Sequence, residues 1–295
     1  MDGHFPTLGD AQMPVLFRAA DRVSGRSQRW HLRCVSANLM AMVGAAFIAT
    51  FLKGLDSIVT VLLMFGGLLL TQFTHFQKFE GNWYDGRAVA ESVKTRAWRF
   101  MTASEPFRET LDDDEAAKRF NETLHSLAKG RPDLMALTGA ELGTEAQITP
   151  EMWSVRALPM AGRLSLYLAQ RIGDQRGWYS RKAQQSKRLG ALWLVLTTVS
   201  QLLAAGAAIF LVKQDNALNA VGIFTSLSAA MVAWVQTKRY QDLANAYGLA
   251  AQELMFIAAE GEQVRTPDEF SSFVVDAENA ISREHTMWIA RRSGS

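Results

Sequence analysis

The sequence predicts an all-α membrane protein: four transmembrane helices arranged as two parallel-repeat hairpins, with long helical cytoplasmic extensions forming a bundle. Three observations lead there. Four apolar runs, residues 34–52, 57–76, 189–212 and 217–235, contain no Asp, Glu, Lys or Arg. A run of roughly 20 apolar residues crosses a bilayer as a helix, because each backbone amide in lipid must find its partner inside its own segment. The runs come in pairs, each joined by a short polar turn, KGLD at residues 53–56 and KQDN at residues 213–216. The remainder of the 295 residues is charge-rich, so the average of 48% hydrophobic and 20% charged residues conceals a segregation that one soluble core would not show.

Positive charge orients the spans. Arg18, Arg22, Arg26, Arg29 and Arg33 precede the first; Lys78, Arg87, Lys94, Arg96 and Arg99 follow the second. Arg171, Arg176, Arg181, Lys182, Lys187 and Arg188 precede the third, and Lys238 and Arg239 follow the fourth. The positive-inside rule then predicts a multi-pass protein of the bacterial inner (cytoplasmic) membrane, with both termini and the central region cytoplasmic. The two hairpins enter from the same side. Lys53 and Lys213 stand 160 positions apart, Gln77 and Gln236 159, Lys78 and Lys238 160, which suggests an internal duplication. Basic blocks that flank spans are explained by anionic head groups, so the expected partner is the lipid bilayer and no nucleic acid.

Taken in order, residues 1–15, with Gly3, Pro6, Gly9 and Pro14, read as an irregular N-terminus that lacks the apolar core of a signal peptide. A first two-span module covers 16–110. It opens with a basic amphipathic helix, Leu16–Arg33, that leads into the first span. There Ala37, Ala41, Ala45 and Ala49 recur every fourth residue, a small face that lets another helix approach closely. Past the second span, helix-forming residues continue until Pro106, with Gly81 and Gly86 as candidate bends and Ser104 or Glu105 as the expected end. Trp98 and Phe107 lie too far along to be interfacial anchors and are assigned to the cytoplasmic bundle.

Residues 111–160 predict a cytoplasmic helix over about Asp112–Leu127, then an irregular connector from Lys129 to Pro150. The acids Asp112, Asp113, Asp114 and Glu115 suit a helix N-terminus. A second two-span module covers 161–292. A long helix runs from Gly162 into the third span, a helix follows the fourth, and after Pro267 comes a last helix, Asp268–Arg291. Gly222 and Ser226 supply the small face of the fourth span, expected to meet Ala41 and Ala45 of the first hairpin.

Several function classes are excluded. The single cysteine, Cys34, allows no disulfide within the chain, and the scattered histidines show no zinc spacing. Four adjacent acids point mostly apart, so they make no metal site. A Gly-rich phosphate loop and a nucleophile elbow are both missing from the sequence. The expectation is therefore no enzyme and no cofactor. Ionisable groups deep in a span, which a proton-coupled transporter needs, are missing too. What the spans do carry is neutral polar groups: Thr197, Thr198, Gln201, Asn219, Thr225 and Ser228 either line water or hydrogen-bond between helices. Gln201 sits near the middle of its span. An unpartnered buried amide costs roughly 2–7 kcal/mol, so it is expected to face the bundle interior or an oligomer axis, never lipid.

Three stretches carry a resemblance. RIGDQRGWYSRKAQQSKRL, with Arg171, Asp174, Gln175, Trp178 and Tyr179, is similar to the start of the bacterial DUF4231 family, where this pattern precedes a two-helix membrane hairpin. AENAISREHTMWIARR, with Glu278, Glu284, His285 and Trp288, resembles that family's closing helix. GRAVAESVKTRAWRFMTASEPF, with Arg87, Glu91, Lys94 and Trp98, resembles the end of a related module. Together they resemble tandem SLATT domains, over nearly all the chain except about 112–159. The resemblance implies a membrane effector of a defence system that oligomerises and disrupts or perforates the membrane when a separately encoded nucleotide-sensing protein is triggered. It supplies no catalytic residues. The competing expectation from the aromatic-rich extensions is a non-conducting membrane scaffold that docks a cytoplasmic partner. For the aromatic and polar motif residues, packing inside the bundle is the expected role.

Overall fold

The structure is a computed structural model that describes residues 8–51, 56–139, 146–211 and 220–293, with the backbone alone at 56, 211 and 283–293. The helices are α1 (Val15–Phe51), α2 (Asp56–Phe76), α3 (Phe79–Met101), α4 (Asp113–Lys129), α5 (Pro132–Gly139), α6 (Pro150–Arg156), α7 (Met160–Leu166), α8 (Asp174–Leu211), α9 (Ala220–Lys238), α10 (Tyr240–Gly261) and α11 (Pro267–Ser293). A π-helical segment, Tyr167–Gly173, joins α7 to α8. Among the described residues four helical stretches are long and apolar enough to cross a membrane, and each takes in the described part of one of the four runs predicted from hydropathy. Asn219, Lys53, Lys213 and Asp215 lie outside the described residues, as do the side chains of Glu284, His285 and Trp288.

The chain divides into two compact units. The span unit holds residues 28–80 and 182–245. In its first hairpin, Asn38 Nδ2 on α1 donates to Thr71 Oγ1 on α2 at 3.3 Å. Gly67 leaves room for that side chain: a Cβ there would stand 2.6 Å from Asn38 Oδ1. In the second hairpin Ser200 Oγ on α8 donates to the Phe224 carbonyl on α9 at 3.0 Å, and the Trp193 and Trp234 rings lie 6.4 Å apart. The repeat is visible in the backbone. Lys78, between α2 and α3, and Arg239, between α9 and α10, both adopt left-handed φ, 48° and 49°. The matching break residues are thus Lys78 and Arg239, 161 apart, which moves the sequence-based alignment of Lys78 with Lys238 by one. α1 and α8 are equivalent long helices of 37 and 38 residues.

The bundle unit holds residues 1–27, 81–181 and 246–295. Its core combines Val89, Val93, Ala97, Trp98 and Phe100 of α3 with Phe120 of α4, Met152 and Val155 of α6, Ile172, and Val274 and Ala277 of α11. α3 packs closely on α1: a Cβ on Gly86 would stand 2.9 Å from the Ala20 carbonyl oxygen. Gly86 is therefore a contact residue inside a helix and not a bend. The helix breaks earlier, at Lys78, where the span ends. α3 stops at Met101, three residues before the expected end, because Ala103 turns left-handed (φ 52°) and Arg156 and Arg163 grip the chain on both sides of that turn. Arg156 Nη1 donates to the carbonyls of Phe100 and Phe107, both at 2.9 Å, and Arg163 Nη1 to that of Thr102 at 3.3 Å.

The acidic run does start a helix, with Asp112 as its cap: Oδ1 accepts from the Glu115 amide at 2.7 Å. The connector departs from the expectation of irregular chain, since residues 132–139 form α5. The helix expected from Gly162 begins at Met160 and passes through the π segment, which widens one part of the path without ending it.

Candidate functional site

Two sets of residues concentrate the polar chemistry, one in each unit. In the bundle unit two of the family-like motif residues, Arg171 and Glu278, form a buried ion pair. Glu278 on α11 is fully buried and Arg171 is 1% exposed. Arg171 Nε donates to Glu278 Oε1 and Nη2 to Oε2, both at 2.9 Å, the bidentate fork that suits guanidinium to carboxylate. Tyr167 Oη donates to Oε1 at 3.0 Å and Thr95 Oγ1 to Oε2 at 2.9 Å, so each carboxylate oxygen accepts twice. Burial pushes the Arg171 pKa down, but the Glu278 charge and its hydrogen bonds outweigh it and hold the guanidinium protonated above its ordinary value. Burial, then the adjacent Glu278 carboxylate, raises the Tyr167 phenol well above its usual range, so it remains a donor. The π segment makes this geometry. It carries both Tyr167 and Arg171, four positions apart, and aims both at one carboxylate.

Other motif residues lie in the same unit. Trp98 is buried with its ring 5.6 Å from that of Tyr167, edge to face. Arg87 Nη2 pairs with Glu91 at 2.8 Å and Nη1 approaches Asp21 at 3.6 Å. Burial works against the Arg87 charge, yet Glu91 and Asp21 together raise its pKa. Lys94 reaches Asp10 at 3.2 Å and lies 5.2 Å over the Phe17 ring. Trp178 meets the Tyr247 ring of α10 edge to face at 5.4 Å, and Tyr179 stacks on the same ring at 5.8 Å. Asp174 is exposed and Gln175 half-buried, so Asp174 is not one of the buried polar contacts. Sequence reasoning missed Tyr167 and Thr95, along with Arg99, whose Nη2 donates to Asn279 Oδ1 at 2.8 Å.

A cleft of about 690 Å³ in the same unit is lined by Trp153, Arg156, Arg163, Glu109, Asp113 and neighbouring residues. Its two arginines are committed to the carbonyls of the loop that follows α3, so they hold the fold.

In the span unit, the structure separates the candidate polar residues. Thr197 and Ser228 are buried in the second hairpin, and their hydroxyls donate to the Trp193 and Phe224 carbonyls at 2.8 Å each. These two do not face water. Thr198 is exposed, with its hydroxyl bonded to the Leu194 carbonyl at 2.9 Å. Thr225 and Gln201 are exposed as well, and Gln201 makes no hydrogen bond among the described residues. The interior position expected as one of two alternatives for Gln201 is therefore not adopted within a single chain. The small residues divide likewise. Ala45 is buried and Ala41, Gly222 and Ser226 are half-buried, whereas Ala37 and Ala49 are exposed, so the four alanines do not form one covered seam.

Four helices able to cross a bilayer, closed into two hairpins, define a multi-pass helical membrane protein. Residues 14–164 match the model of the SMODS and SLOG-associating 2TM effector domain 3, and residues 167–288 match that of domain 1. The chain belongs to this SLATT family and carries two adjacent effector domains. The first match takes in residues 111–160. No curated protein and no solved structure matches the chain.

Proposed function

We propose that this chain is a membrane-disrupting, pore-forming effector of a bacterial defence system. It acts in the inner membrane as a homo-oligomer, released by a separately encoded nucleotide-sensing protein, and it works without catalysis or cofactor. The observation that carries the reading is that each matched effector domain contains one hairpin of the span unit. Within the second hairpin Thr197, Ser200 and Ser228 already bond to backbone carbonyls, so the polar groups left to act outside it are on its outer surface. That arrangement favours an activity of several copies over conduction through one chain. Inducible expression in cells loaded with a membrane-potential dye tests it, together with purified protein in planar bilayers. Depolarisation is the expected result. Absence of both dye response and conductance, with the sensing partner present and activated, overturns the reading.

A second reading, a non-conducting scaffold that docks a cytoplasmic partner, is favoured by the outward Leu249, Met255 and Phe256 of α10, 47–59% exposed. It predicts partner binding that survives in a depolarisation-silent protein and is lost in Phe256→Asp.

A further inference from the structure

We infer that the outer face of α8 around Gln201 is a self-association seam that takes a second copy of this chain, and that the two Gln201 amides pair across it. The inference deepens the oligomeric part of the proposed function and rests on that reading. Gln201 lies near the centre of the run 189–212, on the outside of its hairpin, and bonds to nothing among the described residues. Hydrocarbon offers its amide neither donor nor acceptor. A carboxamide carries both, so a second Gln201 across a two-fold axis satisfies the first and is satisfied by it. Self-complementarity thus selects another copy of the chain as the occupant.

The rest of the face suits a helix and not water. Leu194, Thr198, Ala205 and Ala208 fall on the same side of α8 as Gln201 and are all exposed. Thr198 has its hydroxyl bonded to the Leu194 carbonyl. A water-lined face would carry free polar groups along its length. Here a single amide interrupts an apolar stripe whose alanines let a second backbone come near, and one buried amide in such a seam sets register. The repeat sharpens the contrast. Asn38 and Thr197, polar residues turned into their own hairpins, stand 159 apart, and the same interval takes Gln201 to Met42. Met42 is 61% exposed and compatible with lipid. At this repeat position the amide is thus a feature of the second hairpin alone.

The test uses the full chain in native membranes with Cys34→Ala, so that introduced cysteines are the only thiols. Oxidative crosslinking at Ala205→Cys and Ala208→Cys should give dimers, and at the outward controls Leu202→Cys and Met42→Cys it should not. Adding Gln201→Leu should lower the Ala205→Cys dimer by about threefold to fifteenfold, the range for amide contacts between membrane helices, while Gln201→Asn retains part of it. Helix content by circular dichroism should be unchanged in each variant. Equal crosslinking at all four positions, no Gln201 dependence, or modification of Ala205→Cys by a membrane-impermeant thiol reagent would each overturn the seam, the last because it marks a water-lined face. The dye assay keeps the two proposals apart. Depolarisation without a Gln201-dependent dimer leaves the effector reading and removes the seam, and a Gln201-dependent dimer without depolarisation does the reverse.

Discussion

Removing one partner of the Arg171–Glu278 pair leaves a full charge where no water reaches it. Breaking a buried pair from one side costs about 3–5 kcal/mol, while replacing both partners by apolar groups is often close to neutral. Glu278→Gln and Arg171→Met should each lower unfolding stability in detergent by that order, and the double change Arg171→Met with Glu278→Leu should cost far less than their sum. Additive losses would show that the two residues do not act as a pair. Tyr167 adds a pH dependence with a definite sign. Its folded pKa lies above the unfolded value of 10.0, so its contribution is complete below pH 10 and declines as pH rises beyond it, where the unfolded phenol ionises and the folded one does not. Tyr167→Phe should flatten the alkaline loss of thermal stability, leaving a residual slope from Tyr247, whose pKa burial also raises. At this scale the motif residues Trp98 and Arg171 were legible in the sequence. Tyr167 and Thr95 were not, because a hydroxyl acquires its role from a carboxylate 111 or 183 positions away.

At the scale of elements, the helix breaks at Lys78 and Arg239 hold side-chain-bearing residues in left-handed backbone. That conformation costs an L-residue roughly 1–2 kcal/mol, so Lys78→Gly and Arg239→Gly should each raise the melting temperature, and Lys78→Val should lower it. Two glycines of α3 give opposite expectations. Around Gly81 nothing stands within 4 Å of an added Cβ, and Gly81→Ala should stabilise by about 0.5–1 kcal/mol. At Gly86 the added methyl meets the Ala20 carbonyl and Ser24, and Gly86→Ala should destabilise by about 1–3 kcal/mol. Similar melting shifts for both would remove the contact assigned to Gly86. Hydropathy located the spans because charge is excluded from them. It could not locate the break, since neither Lys nor Arg announces positive φ, and it marked the two glycines as equal when only packing distinguishes them.

For the whole molecule, the distribution of Arg and Lys predicts that both termini and the central region lie in the cytoplasm. Alkaline phosphatase fused at either end should be inactive and a cytoplasmic reporter active; the opposite pattern would overturn the topology. The duplication belongs to this scale as well. Two hairpins entered by 37- and 38-residue helices and left through matching left-handed breaks describe one module used twice.

By itself the sequence determined the class of this protein: helical, four spans in two pairs, two effector modules, charge outside the apolar runs. Those properties follow from bilayer thickness and from the cost of charge in lipid, which act locally and leave a periodic or compositional trace. Tertiary structure decided which side of each helix is covered. Ser200 and Thr197 turned inward while Gln201, one to four positions away on the same helix, turned out. The π segment aimed Arg171 at Glu278, 107 positions along the chain. Facing is set by a few degrees of rotation and by partners distant in sequence, and neither is written in the local order of residues.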